Sequence, residues 1–71
     1  MPGADVRNQV RRLRFEHGEM TQQALAEAVG CSRQTIVLLE QARYVPSLAL
    51  ALRIARTFGV QVEDVFELAD D

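Results

Sequence analysis

Apolar residues recur at three- and four-residue intervals along most of the chain, the period of helices that bury one face. Val6, Val10 and Leu13 fall at i, i+4 and i+7 and predict a first helix over about 6–15, with Asp5 as its N-cap. His17-Gly18-Glu19 ends that helix. Thr21 is placed to cap a second one running to about Val29, whose buried side is Leu25, Ala26 and Val29, and Gly30 stops it. Ser32 caps a third helix to about Gln41, with Ile36 and Leu39 on a common face. The stretch Ala42 to Val45 then reads as a loop, because the residue before Pro46 disfavours helix. Pro46-Ser47 opens a fourth helix to Phe58, in which Leu48, Ala51, Ala55 and Phe58 form the expected stripe and Gly59 the stop. A last short helix over about 62–68 turns Val65 and Phe66 inward from a weak cap at Gln61, and the acids of 68–71 are expected to fray. No stretch carries the two-residue alternation of a strand. The expected architecture is all-α, a compact five-helix domain occupying the whole of 1–71.

Length and composition add a constraint. A chain of 71 residues buries only about 60% of the surface its unfolded form exposes. With 48% apolar residues and no ligand cluster for a metal, such a chain relies on tight helix packing, self-association or both, and a partner subunit is expected. The single cysteine, Cys31, has no mate for an internal disulfide, which points to a reducing compartment and to a role as a small buried hydrophobe. The apolar run Leu48 to Leu52 stops at Arg53, well short of the ~18 residues a membrane helix needs. Met1 to Val10 lacks a signal-peptide apolar segment. The expected location is the cytoplasm, the cytosol or nucleoid of a prokaryotic cell, with no membrane partner.

The formal charge of −2 is unevenly spread. Residues 1–60 carry all eight basic residues, every one an arginine, against five acids, whereas residues 61–71 carry five acids and no base. One end of the molecule is therefore basic enough to approach a polyanion while the acidic end faces away. The alternative reading of the acidic end is plain solubilising surface with no bearing on a partner. The lone histidine, His17, has no Cys, Asp or second His at ligand spacing, so a loop role is expected rather than a metal-binding or catalytic one.

The densest signal lies between Gln22 and Leu39, two helices of about eight residues joined by a tight turn at Gly30. Helices that cross steeply need a small residue at their closest approach, which Ala26 supplies one turn before Gly30. Ile36 follows as the plug between them, with Leu25, Val29, Cys31 and Leu39 filling the remaining positions.

In this register the chain resembles the phage-repressor-like helix-turn-helix regulators, the Cro, lambda-repressor and xenobiotic-response-element type. The resemblance runs from about Leu13 to Phe66 and rests on Leu13-Arg14, Thr21-Gln22, Leu25-Ala26, Gly30, Ser32-Arg33-Gln34-Thr35-Ile36, Glu40, Pro46-Ser47-Leu48, Gly59-Val60 and Glu63-Asp64-Val65-Phe66. It implies a helix-turn-helix core at 21–41, with the helix of 32–41 lying in the major groove of double-stranded DNA. Arg33 then suits guanine O6 and N7, and Gln34 suits adenine N6 and N7. Gln22 is similar to the family's phosphate-contacting glutamine, Thr35, Arg43 and Tyr44 are placed to hold flanking phosphates, and Ser32 is expected among the DNA-binding residues at the start of the helix. The resemblance further implies a structural ion pair between Arg14 and Glu40 and a homodimer on a palindromic operator; with no metal set and no separate ligand domain in the chain, no cofactor, metal or small-molecule ligand is expected. Leu50, Val62, Val65 and Phe66 are the expected dimer surface.

Four features stand out against the family pattern. Val37 and Leu38 stand where many relatives carry polar residues, and Leu38 is positioned to meet a thymine methyl or a protein partner rather than a phosphate. Ala42 occupies a position that relatives often give to glycine, so the chain is expected to turn there without positive φ. Glu19 is an extra loop residue, and Phe15 faces away from the Val6, Val10, Leu13 side, as a subunit contact would. Of the eight arginines, Arg7, Arg11, Arg12, Arg53 and Arg56 read as solvated faces, with Arg7 or Arg11 within reach of phosphate. The competing function is a protein-interaction or antitoxin-like module on the same fold that has given up DNA. An enzyme is not expected, since the chain offers neither a nucleophile with its base nor a metal set.

Overall fold

The computed structural model describes residues 6–69, in the order β1 (Val6–Asn8), α1 (Val10–Glu16), α2 (Gln22–Val29), α3 (Arg33–Glu40), α4 (Leu48–Phe58), α5 (Val62–Val65) and β2 (Phe66–Leu68). The five helices enclose one core of Val10, Leu13, Leu25, Ala26, Val29, Ile36, Leu39, Leu50, Ile54, Ala55, Phe58 and Val65. The domain is all-α apart from a short antiparallel ribbon in which Val6 faces Leu68 and Asn8 faces Phe66.

That ribbon corrects both ends of the sequence reading. Residues 6–8 are extended instead of helical, and Leu68 is paired instead of frayed. Helix α1 begins at Val10 because Asn8 supplies the local cap: its Oδ1 accepts the Val10 N–H at 3.1 Å while its Nδ2 donates to the Leu39 carbonyl at 2.8 Å. The expected cap Asp5 lies outside the described residues, as do Asp70 and Asp71 of the acidic end. Helix α5 is one turn long, and Gln61 starts it with help from Asp64, whose Oδ2 accepts the Gln61 N–H at 3.0 Å.

Helix α4 sits lower in the core than its expected stripe implies. Leu48 is 72% exposed, while Leu50, Ala51, Ile54, Ala55 and Phe58 are buried. Both stripes share Ala51, Ala55 and Phe58, so the helix is rotated only slightly, but the rotation moves Leu50 inside. Leu50 and Val65, expected on a dimer surface, are 6% and 1% exposed. They are spent within the subunit and have no area to offer another. Val62 and Phe66 remain half-buried at the rim.

His17 does more than fill a loop. Its Nδ1 lies 2.8 Å from the Leu13 carbonyl and its Nε2 3.0 Å from the Phe58 carbonyl, with the ring tilted against that of Phe58. The residue joins the ends of α1 and α4.

Helices α2, α3 and α4 all finish with the same reverse turn, in which a left-handed residue lets the next N–H reach a carbonyl five residues back. The bonds run from Cys31 to Ala26 at 3.0 Å, from Arg43 to Leu38 at 2.9 Å and from Val60 to Ala55 at 3.0 Å. The left-handed positions are Gly30, Ala42 and Gly59. Ala42 has φ +59°, so the expectation of a turn without positive φ fails: the bonding pattern dictates the backbone and the side chain is strained to fit. A left-handed alanine costs about 1–2 kcal/mol, of which the greater freedom of unfolded glycine would give back about half. Ala42→Gly is therefore expected to stabilise the domain by about 0.5–1 kcal/mol, raising Tm by about 3–6 °C in a thermal melt; a lowered Tm would contradict the turn.

Candidate nucleic-acid interface

Helices α2 and α3 are each fixed at both ends by their own residues. Thr21 Oγ1 accepts the Ala24 N–H at 2.9 Å and starts α2, and Ser32 Oγ accepts the Thr35 N–H at 3.1 Å and starts α3. Between them Gly30 takes φ +79°. A Cβ there would meet no atom within 4 Å, so glycine answers to the backbone angle and not to crowding. Ala26 and Ile36 are fully buried where the helices cross. Cys31 packs against the same core, half-buried, and burial pushes its thiol above the usual range, which suits a filler more than a nucleophile.

With Ile36 and Leu39 inside, α3 turns Gln34, Val37, Leu38 and Gln41 outward, at i, i+3, i+4 and i+7. Arg33 and Gln34 are exposed at its leading end, and among the described residues neither side chain has a hydrogen-bond or ion-pair partner. Ser32 is exposed as well, and its hydroxyl lies 2.9 Å from that of the half-buried Thr35. Arg43 and Tyr44 are exposed in the loop after the Ala42 turn.

Beside α3 a cleft of about 350 Å³ is lined by Arg11, Arg14, Phe15, Gln22, Val37, Glu40 and Gln41. Arg14 and Glu40 form a two-pronged ion pair across it, Nε to Oε2 at 2.6 Å and Nη2 to Oε1 at 3.0 Å. Their side chains are 10% and 8% exposed. The third nitrogen of Arg14, Nη1, donates to the Met20 carbonyl at 2.7 Å, so each guanidinium nitrogen has a partner. Gln22 joins the network by donating Nε2 to Glu40 Oε1 at 3.1 Å. One amide hydrogen of Gln22 is thereby committed inward, and the other remains at the start of α2. Phe15 is 53% exposed above this network, with the guanidinium carbons of Arg11 and Arg14 each 5.8 Å from its ring centroid.

Three other features bear on the site. Arg7 is paired with Glu67 at 2.9 Å, and Arg12 with Glu16 at 3.1 Å, which leaves Arg11 as the α1 cation beside α3 that has no carboxylate partner among the described residues. Among the described residues no cluster of His, Cys, Asp or Glu is arranged to hold a metal, and no helix is long and apolar enough to cross a membrane. The Gln22–Glu40 bond is the contact that sequence spacing missed; both residues stood out individually, but nothing local joins the start of α2 to the end of α3.

Residues 5–68 match the model of the helix-turn-helix domain family. The chain is 52% identical over 67 residues to an uncharacterized HTH-type transcriptional regulator of Methanothermobacter thermautotrophicus, covering 93% of this chain and 96% of the relative. It is 46% identical over 66 residues to another such regulator of Methanocaldococcus jannaschii, covering 93% and 98%. In fold it is similar to a crystal structure from Bacteroides fragilis at TM-score 0.76 and 24% identity, over 87% of this chain and 98% of that one.

The ion pair sets a stability test. Arg14→Ala leaves Glu40 buried and without its cation, at a cost of about 3–5 kcal/mol. Domains of this size hold about 4–10 kcal/mol in total. Urea denaturation is expected to show about 3–5 kcal/mol of the unfolding free energy lost, about a third or more of the total, whereas a loss below about 1 kcal/mol would mean the pair is solvated.

Proposed function

This chain belongs to the helix-turn-helix transcriptional regulators, a DNA-binding and non-enzymatic family, and we propose that it binds a palindromic operator as a homodimer with α3 in the major groove. The observation that carries the reading is the free leading end of α3. Arg33 and Gln34 project from it with their donors and acceptors unspent, on a helix held by Ser32 at one end and Glu40 at the other. Arginine and glutamine are the two side chains that read guanine and adenine edges bidentately.

Around them the polar groups supply position. Gln22 and the first N–H groups of α2 meet one phosphate, with the amide aimed by its bond to Glu40. Ser32, Thr35, Arg43 and Tyr44 meet the flanking backbone, with the left-handed Ala42 turn bringing Arg43 beside α3. Leu38 faces the groove between these groups.

The dimer surface suggested by burial differs from that suggested by sequence. Leu48 and Leu52 stand exposed one turn apart on α4. Beside them an apolar groove of about 290 Å³ is lined by Val6, Val45, Pro46, Leu48, Ala51, Val62 and Phe66. A second copy covering this face would remove Val45, Leu48 and Leu52 from water, and a palindromic operator requires the two-fold axis to hold the recognition helices about 34 Å apart. This surface retains Val62 and Phe66 from the expected set and replaces Leu50 and Val65. We place the protein in the cytoplasm, where its DNA and its reduced Cys31 are both accommodated.

A second reading, a protein-interaction module, is favoured by Val37 and Leu38 on the outward face of α3. Anisotropy titration against an operator recovered by selection from random duplexes separates the two. Arg33→Ala and Gln34→Ala are each expected to weaken binding by about 5- to 150-fold, the equivalent of about 1–3 kcal/mol, with unchanged thermal melts. Arg43→Ala should flatten the plot of log affinity against log salt by about two units in a dimer, one per subunit. Absence of saturable binding at low salt would refute the DNA reading in favour of the second. For the dimer, Leu48→Glu is expected to halve the mass in sedimentation equilibrium while leaving the fold intact; an unchanged dimer would place the interface elsewhere.

A further inference from the structure

The outward stripe of α3 has an unusual order of chemistry. Its end residues Gln34 and Gln41 are polar and exposed, while its middle residues Val37 and Leu38 are apolar and half-buried. Neither belongs to the core, nor to the part-buried hydrophobics packed against it. Val37 forms one wall of the cleft shared with Phe15 and Gln22. By helical periodicity Leu38 stands on the opposite flank, and its carbonyl holds the Arg43 N–H that closes the following loop.

We infer that the second turn of α3 reads the C5-methyl groups of thymines, with Leu38 as the seating residue and Val37 beside it. The inference rests on the DNA reading proposed above and specifies which bases that reading selects. The edges of the bases in the major groove are donors and acceptors, and the thymine methyl is the one hydrocarbon that projects there. A leucine pressed on any other edge strips water from a polar group and gives nothing in return. Leu38 lies five residues beyond Arg33 and four beyond Gln34, about 6–7.5 Å along the helix, a reach of about one or two base pairs along the groove. The methyls therefore fall within about one or two steps of the bases met by Arg33 and Gln34. A protein partner is the less suitable occupant. Two apolar side chains framed by Arg33, Gln34 and Gln41 are far smaller than the roughly 800 Å² that each side of a stable protein interface buries.

The experiment uses the full chain and the operator selected from random duplexes. Each thymine is replaced in turn by deoxyuridine, which removes the methyl and keeps every hydrogen-bonding group. The expected result is one or two positions per half-site where binding weakens about fourfold for each methyl lost, and uniform tolerance elsewhere. Leu38→Ala should bind thymine and uracil operators alike, and Leu38→Gln, closer in size, should show the same indifference with an unchanged melt. Wild-type protein that ignores deoxyuridine at every position, while still losing affinity on Arg33→Ala, would overturn the methyl assignment and leave the DNA reading standing. Absence of binding to any duplex would overturn both.

Discussion

The arrangement of this domain turns on one buried ion pair. Arg14 carries three charge-assisted bonds, two to Glu40 and one to the Met20 carbonyl, and its own carbonyl receives the Met20 N–H at 2.9 Å. The pair thus joins the end of α1, the loop that leads into α2 and the last turn of α3. Gln22 adds the first residue of α2 to the same carboxylate. Bringing two charges out of water costs nearly what their attraction returns, so the pair contributes little net stability. What it contributes is registry. Its two parallel, directional bonds fix the last turn of α3 against the end of α1.

That constraint acts together with the packing at the other end of α3. Its start is set by the Gly30 turn and the Ser32 cap, its middle by Ile36 and Leu39 in the core, and its last turn by Glu40 and by the Leu39 carbonyl, which accepts from Asn8. A helix of eight residues has little stability of its own in water. Here every turn of it is tied to a different element, so its outward face arrives ordered, and less freedom is lost when it meets a partner. The ribbon at the chain ends belongs to this scheme, since β1 delivers Asn8 to both α1 and α3.

How far the sequence disclosed this depends on whether a feature was local. The cap at Ser32, the turn at Gly30 and the apolar stripes of α2 and α3 are set by neighbours a few residues apart, and the resemblance supplied the pairing of Arg14 with Glu40. The ribbon was hidden for two reasons. Val6 and Val10 have helical spacing, so a three-residue strand passes for an extra helical turn, and its partner Phe66–Leu68 lies at the other end of the chain. Asn8 was the overlooked sign, an asparagine positioned to cap just inside the expected helix. On α4 the small residues Ala51 and Ala55 fit two adjacent stripes, and only the positions of α2 and α5 decide that Leu50 and Ile54 go inside and Leu48 outside. Ala42 misled because the turn is specified by where the Arg43 and Ala42 N–H groups must go, with the residue type following imperfectly.

The charge distribution gives the proposed function its energetic character. Among the described residues Arg7, Arg12 and Arg14 each have a carboxylate partner, which leaves Arg11, Arg33 and Arg43 as the uncompensated cations close to α3, and Arg53 and Arg56 on α4. The acids of the chain end are confined to α5, β2 and the residues beyond them. A polyanion is therefore attracted locally to a molecule whose total charge is slightly negative. Nonspecific affinity for DNA comes almost entirely from neutralised phosphates, and in each subunit three of the five free arginines among the described residues lie close to α3. On the proposed reading its specificity relies on base contacts and on two subunits engaging one operator, since a second half-site held at high effective concentration multiplies affinity without adding any contact per subunit. Base contacts and paired half-sites together favour the correct sequence over the excess of incorrect ones, because each term rewards matching bases or symmetry.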